Sequence, residues 1–201
     1  CIRDRDWSAA AFGFAAVAVV GGEIVIGPLS SSSRQGDRSV LDILVGAGLE
    51  VRGAAGPMLR VRGPVRKPFD ADLSQTPDLF PALAVVASSI EPGSRLRGLD
   101  HLRHKESDRL TVMTENLRRL GGGIDVDHNV FTVRKPVQAG FTVPPRVTAA
   151  NDHRVAMAMA VAALCTGPLH LDDGECVAKS FPRFWDMWAS LLADGGDRDD
   201  G

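Results

Sequence analysis

The densest run of chemically capable side chains is Lys105-Glu106-Ser107-Asp108-Arg109, where two cations flank two carboxylates and a hydroxyl. Ser107 or Asp108 can cap a helix, and acids in a first turn are favoured by the helix dipole. The cations are not, because Lys105 and Arg109 stand at the positive end of that helix, where they are disfavoured unless an anion is brought in. Four residues apart, or about one helical turn, they can grasp one anion together with free backbone N–H groups, which reads as a phosphate site. Asn151-Asp152-His153-Arg154 opens another helix in the same way, with Asn151 or Asp152 as cap and Arg154 in the first turn. Asp78, directly after Pro77, serves equally as a first-turn acid or as a group that moves a proton. Lys179 precedes the last helix, either as an anion ligand or as a surface lysine.

The elements that must carry these residues form a pattern that occurs three times. A small-residue helix is followed by a Gly-containing turn, a short strand, a polar loop, a second helix, a Gly-rich turn and another strand. The first copy reads as a helix over 8–20, a strand over 23–26, a helix over 40–45 and a strand pair over 49–52 and 58–62. The second reads as a helix over 78–89, a strand over 94–96, a helix over 109–120 and strands over 124–126 and 130–133. The third reads as a helix over 153–165, a strand over 169–171 and a helix over 182–192. The period is about 70 residues, from Asp37 to Asp108 and from Asp78 to Asp152. Proline falls near first turns and glycine just past last turns, as helix boundaries require. The Ala-rich helices are apolar on too many faces for a surface, so they belong inside with the sheets outside.

Composition narrows the function. Hydrophobic residues are 44% of the 201 and charged residues 24%, enough for a buried core. With 23 Lys+Arg against 25 Asp+Glu, no global positive field exists to hold a nucleic acid or an anionic membrane. The absence of tyrosine removes the aromatic stacking series that nucleic-acid binders use. The longest apolar stretches, about 11 or 12 residues, fall short of the roughly 20 that a membrane span requires. Cys1, Cys165 and Cys176 have neither a metal-ligand spacing nor an even disulfide set, which fits a reducing cytoplasm. The first residues alternate in charge and lack an initiator Met, so the chain is expected to begin inside a longer protein.

The Lys105-to-Arg109 string, Asn151-Asp152-His153-Arg154-Val155-Ala156-Met157, Ala178-Lys179-Ser180-Phe181-Pro182 and Pro77-Asp78 together resemble the ordered signature of the EPSP synthase family. Four motifs in order and at matching repeat positions are highly specific, and the resemblance runs to about residue 192; Gln35-Gly36-Asp37 fits the same family's first loop. It implies an α+β fold of α/β-type repeats: three βαβαββ-like repeats with buried Ala-rich helices and outer mixed sheets, one lobe of a two-lobed enolpyruvyl transferase. It further implies transfer of the enolpyruvyl group of phosphoenolpyruvate to the 5-hydroxyl of shikimate 3-phosphate, with loss of phosphate and without metal or organic cofactor. Asp78 would then face the reacting hydroxyl and Glu106 would handle the proton at the methylene carbon. Lys105 would lie near the hydroxyl, His101 near the shikimate ring, and Arg109, Arg154 and Lys179 would hold the phosphate and carboxylate of phosphoenolpyruvate.

By the same resemblance, residues 1–30 would end the other, N-terminal lobe, and the first 25 or so would pack less completely. Residues 31–192 would form the phosphoenolpyruvate lobe and the parent a monomer of both lobes, while 193–201, polar, Gly-rich and aperiodic, are expected to form a disordered tail. The sequence departs from the family at Trp7, where a small residue is usual, and at His101, where relatives often have Asn or Glu. Two rival readings are an enolpyruvyl transferase acting on UDP-N-acetylglucosamine and a catalytically dead anion-binding or assembly module. The first should lack the Lys-Glu-Ser-Asp-Arg string.

Overall fold

Three helices too apolar to face water lie at the centre of the chain, and everything else is arranged around them. The computed structural model describes residues 7–29, 33, 35–53 and 58–194. The inner helices are α1 (Trp7–Val20), α3 (Phe80–Ser89) and α5 (His153–Thr166), and each packs against the other two. In α3 every residue from 80 to 88 is buried, and in α5 the run 155–162 is buried without a break. A helix apolar all round has no face to give to water, and alanine allows the three backbones to approach closely. Burial of a side chain such as Leu83 or Val161 contributes about 1.5–3 kcal/mol, which makes this cluster the main store of stability.

Around this centre the three repeats supply outer helices and sheets. The first adds β1 (Gly22–Ile26), α2 (Ser39–Gly46), β2 (Glu50–Arg52) and β3 (Leu59–Gly63), which form an antiparallel sheet ordered β1-β3-β2. The second adds β4 (Asp70–Asp72), β5 (Arg95–Arg97), α4 (Arg109–Arg119), β6 (Gly123–Asp127) and β7 (Val130–Lys135), in a mixed sheet ordered β4-β5-β7-β6. The third adds β8 (Arg146–Val147), β9 (His170–Leu171) and α6 (Phe184–Asp194). The pairs β4/β5 and β8/β9 are parallel, each joined through an inner helix as crossover. One face of each sheet covers the core. Phe131, opposite Leu96 in register, meets Phe80 of α3 edge-on at 5.5 Å, while the outer face carries ion pairs such as Arg97 to Asp70 at 2.8 Å. Where β3 crosses α1, a Cβ on Gly63 would lie 2.1 Å from the carbonyl oxygen of Val17, so only glycine permits the approach.

Several expectations need correction. Residues 7–29 do not pack loosely: Phe14 and Ala18 are fully buried, and α1 shares one core with α3 and α5, because its alanines and phenylalanines find apolar partners on both. Helix α6 continues through Asp194, past the expected start of the tail at 193; residues 195–201 lie outside the described residues. The helix expected from Asp78 begins as the 3₁₀ turn Pro77–Leu79 and becomes α-helical at Phe80. Strands β4 and β8 were not legible, being three and two residues long, and among the described residues the third repeat has no closing strand pair. Trp7 turns its ring into the core, 2% exposed and 6.2 Å from Phe14.

Candidate anion and proton-transfer site

Asp78, Arg109 and Arg154 each sit where a helix or 3₁₀ turn begins. Asp108 caps α4 by accepting the N–H of Thr111 at 3.1 Å, which sets Arg109 as the first residue of that helix. Asp152 caps α5 by accepting the N–H of Arg154 at 2.9 Å. Asp78 lies in the 3₁₀ turn ahead of α3. Three N-termini from two repeats thus bring their first side chains to one place, and the caps fix the angle at which each arrives.

The centre of that place is a carboxylate. Asp78 Oδ1 lies 2.7 Å from Arg109 Nη1 and 3.4 Å from Lys105 Nζ, and its Oδ2 lies 3.3 Å from Arg154 Nη2. Lys105 and Arg109 both lie against Asp78, but Lys105 belongs to the bend that follows the 3₁₀ turn Asp100–His104 and not to α4, so their meeting comes from the loop and not from helical spacing. Behind this layer is a second. Arg109 donates Nε and Nη2 to the two oxygens of Asp152 at 2.6 and 3.3 Å, and Ser107 donates its hydroxyl to Asp152 at 3.1 Å. Asp152 is completely buried and accepts four donors, so its charge is fully compensated. Glu106 joins through His153, whose Nδ1 lies 2.9 Å from Glu106 Oε2. The Glu106, Asp152 and His153 donor atoms lie within 4.8 Å of one another, yet Asp152 is already spent on Arg109, which leaves a poor donor set for a cation.

Burial pushes the Asp78 carboxyl up, but the charge of Arg154, the hydrogen bond from Arg109 and the charges of Arg109 and Lys105 outweigh it and hold the group below its usual value. Burial likewise pushes the Arg109 guanidinium down, and the hydrogen bonds and charges of Asp152 and Asp78 more than reverse this. Asp78, 32% exposed, is thus held ionised by its cations, and an anionic ligand that reached them would compete with it. Lys105 and Arg154, 31% and 15% exposed, are the cations that can turn to such a ligand.

The structure brings Asp78, Lys105, Arg109 and Arg154 into direct contact. Glu106 contacts His153, and Lys179 donates to Asn151, the residues that flank Asp152 in the sequence. His101 lies exposed in the 3₁₀ turn Asp100–His104, and among the described residues no hydrogen bond or ion pair joins it to the cluster. Asp152 and His153, which hold the cluster together, were present in the Asn-Asp-His-Arg string but gave no separate signal. Their roles depend on contacts with Arg109 and Glu106, more than forty residues away. Ser8, at the start of α1, donates its hydroxyl to Asp37 in the 3₁₀ turn Gly36–Arg38.

Comparison with known proteins follows the same lines. Residues 4–188 match the family model described as EPSP synthase (3-phosphoshikimate 1-carboxyvinyltransferase). A 3-phosphoshikimate 1-carboxyvinyltransferase of Methanoculleus marisnigri is 38% identical over 183 residues, covering 91% of this chain and 42% of that protein. One of Syntrophobacter fumaroxidans is also 38% identical, over 190 residues, covering 94% and 44%. Among solved structures, an EPSP synthase from Acinetobacter baumannii superposes with a TM-score of 0.75 at 26% identity, covering 91% of this chain and 45% of that one. The enolpyruvyl transferase NikO from Streptomyces tendae, at 19% identity and a TM-score of 0.68, shares the fold. The chain spans less than half the length of the relatives it matches.

Proposed function

The chain belongs to the EPSP synthase family, and from that premise we propose that the full-length protein transfers the enolpyruvyl group of phosphoenolpyruvate to the 5-hydroxyl of shikimate 3-phosphate. Residues 31–192, together with α1, supply the lobe that takes phosphoenolpyruvate, and the remaining length supplies the other lobe and much of the shikimate 3-phosphate site. Without that length the chain does not complete the reaction. The observation that carries this reading is the sharing of one carboxylate, Asp78, by Lys105, Arg109 and Arg154, with Glu106 alongside in the same string. Such a cluster exchanges an internal anion for an external one and then holds a group able to take up a proton.

The steps balance without an added group. Glu106 delivers a proton to the methylene carbon, the hydroxyl oxygen bonds to the adjacent carbon, and Asp78 takes the hydroxyl proton. The resulting tetrahedral intermediate returns a methyl proton to Glu106 and expels phosphate, which takes the proton held by Asp78, so the double bond and both carboxyl groups are restored. Arg154 and Lys179 hold the anionic ends of phosphoenolpyruvate, a guanidinium suiting the planar carboxylate and an ammonium suiting phosphate as a point charge. Arg109 keeps Asp78 and Asp152 in register and offers its remaining edge to the ligand, Lys105 faces the hydroxyl, and His101 borders the shikimate ring. No helix of the described residues is long and apolar enough to cross a membrane, and the free thiols Cys165 and Cys176 support a reducing, cytoplasmic setting. The test is phosphate release by the full-length gene product. Release should require both substrates together, and a protein that binds phosphoenolpyruvate but releases no phosphate would be an anion-binding module instead.

A further inference from the structure

Lys179 differs from the other cations of the site in its partners. Lys105, Arg109 and Arg154 each lie against a carboxylate, whereas the contacts of Lys179 are to Asn151, whose side-chain oxygen and main-chain carbonyl both accept from the ammonium, the latter at 3.5 Å. Neutral acceptors orient an ammonium without cancelling its charge. The segment that delivers them is unusual. Ala150 and Asn151 both have left-handed backbone, with φ of 51° and 58°, a conformation that alanine disfavours and that a surrounding structure must impose.

The structure shows what imposes it. Asn116, fully buried on α4, donates to the Thr148 carbonyl at 2.8 Å and accepts the Thr148 N–H at 3.1 Å. Asp172, beyond β9, accepts the Ala149 N–H at 2.8 Å, and Asp152 closes the turn by donating its N–H to the Ala149 carbonyl at 3.0 Å. Two elements from different repeats therefore clamp the chain ahead of the left-handed pair, and the α5 cap clamps it behind. Were the pair extended, the Asn151 carboxamide would leave the end of the 3₁₀ turn Glu175–Lys179 where the ammonium stands.

We propose that Asn151 is a positioning residue: the clamped left-handed turn presents its carboxamide to Lys179 so that the ammonium is held, uncompensated, for an anionic oxygen of the substrate. This rests on the reading of Lys179 as an anion ligand. The test uses the full-length gene product and inorganic phosphate as probe, with binding measured by titration calorimetry for the wild type, Asn151→Gly, Lys179→Ala and the double variant. Glycine keeps the left-handed backbone and removes only the carboxamide. Asn151→Gly should weaken phosphate by about 1.5- to 5-fold, as expected for one exposed polar contact. In the Lys179→Ala background it should change nothing further. Asn151→Asp, which pairs the ammonium with a carboxylate, should weaken phosphate more than Asn151→Gly does. An equal loss with and without Lys179, no loss at all, or no phosphate binding by the wild type would overturn the proposal. Enolpyruvyl transfer, assayed separately, tells the two readings apart. A wild type without transfer but with the non-additive cycle removes the reaction alone, and transfer with an additive cycle removes the role of Asn151 alone.

Discussion

Arg109 Nε lies 2.6 Å from Asp152 Oδ2, with the two side chains 3% and 0% exposed, so the first residue of α4 is bolted to the cap of α5 away from water. Removing one partner of such a pair leaves an uncompensated buried charge. Arg109→Ala should therefore cost about 3–5 kcal/mol of stability. Arg154, whose ion partner Asp78 is partly exposed, should behave differently: Arg154→Ala should cost no more than about 1 kcal/mol and mainly raise KM for phosphoenolpyruvate. Denaturant titration of both variants checks the contrast, and equal destabilisation would mean that the two arginines do the same work.

Asp78 gives the site a pH signature. Its folded carboxyl titrates below the ordinary value, so it contributes stability that is complete above about pH 4 and is lost as pH falls through the folded value. Asp78→Asn should be less stable than the wild type at neutral pH and match it once both are in acid below that value. A gap that stays constant between neutral and acid conditions would show that the three cations do not act on this group.

Packing of α1 can be probed at one atom. Gly63→Ala places a Cβ 2.1 Å from the Val17 carbonyl oxygen, and since that neighbour is backbone, either β3 or α1 must shift. A cost of about 1–3 kcal/mol is expected, the range for overpacking. Thermal denaturation reads it, and an unaffected midpoint would mean that α1 and β3 are not in this contact.

Burial pushes the thiols of Cys165 and Cys176 up to about 11, in Cys176 with help from the charge of Asp173. Only the thiolate reacts, so alkylation at pH 8 should be slow at both positions in the folded protein and rapid after unfolding. Peptide mapping by mass follows each cysteine separately. Fast labelling of Cys165 in the folded state would contradict its place in α5.

What the sequence revealed and what it hid follow from the range of the interactions. The inner helices were legible because alanine-rich stretches such as 155–162 are apolar on every face, and their ends carry glycine or a capping aspartate. Strands β4 and β8 were hidden, since two or three residues show no period, and their pairing with β5 and β9 is set across a whole helix. How completely α1 packs was misjudged because nothing local says which partners an apolar helix will find. Within the site, residue types and order pointed to Asp78, Lys105, Glu106, Arg109, Arg154 and Lys179. That the anion shared by Lys105 and Arg109 is Asp78, and that Asp152 stands behind them, depends on the three-dimensional meeting of two repeats.

The central claim is that the carboxylates of this lobe move protons to and from the three-carbon unit of phosphoenolpyruvate. The most direct measurement runs the reaction of the full-length gene product in D2O with both substrates and reads the enolpyruvyl methylene of the product by proton NMR. Addition converts the methylene to a methyl group with a solvent-derived deuteron, and elimination then removes one hydrogen, so deuterium should appear in the product methylene. Glu106→Gln should slow product formation and deuterium entry together, by about 10²- to 10⁴-fold for a group that transfers protons in the transition state. Product formed without deuterium, or a Glu106→Gln variant turning over at the wild-type rate, would contradict the account.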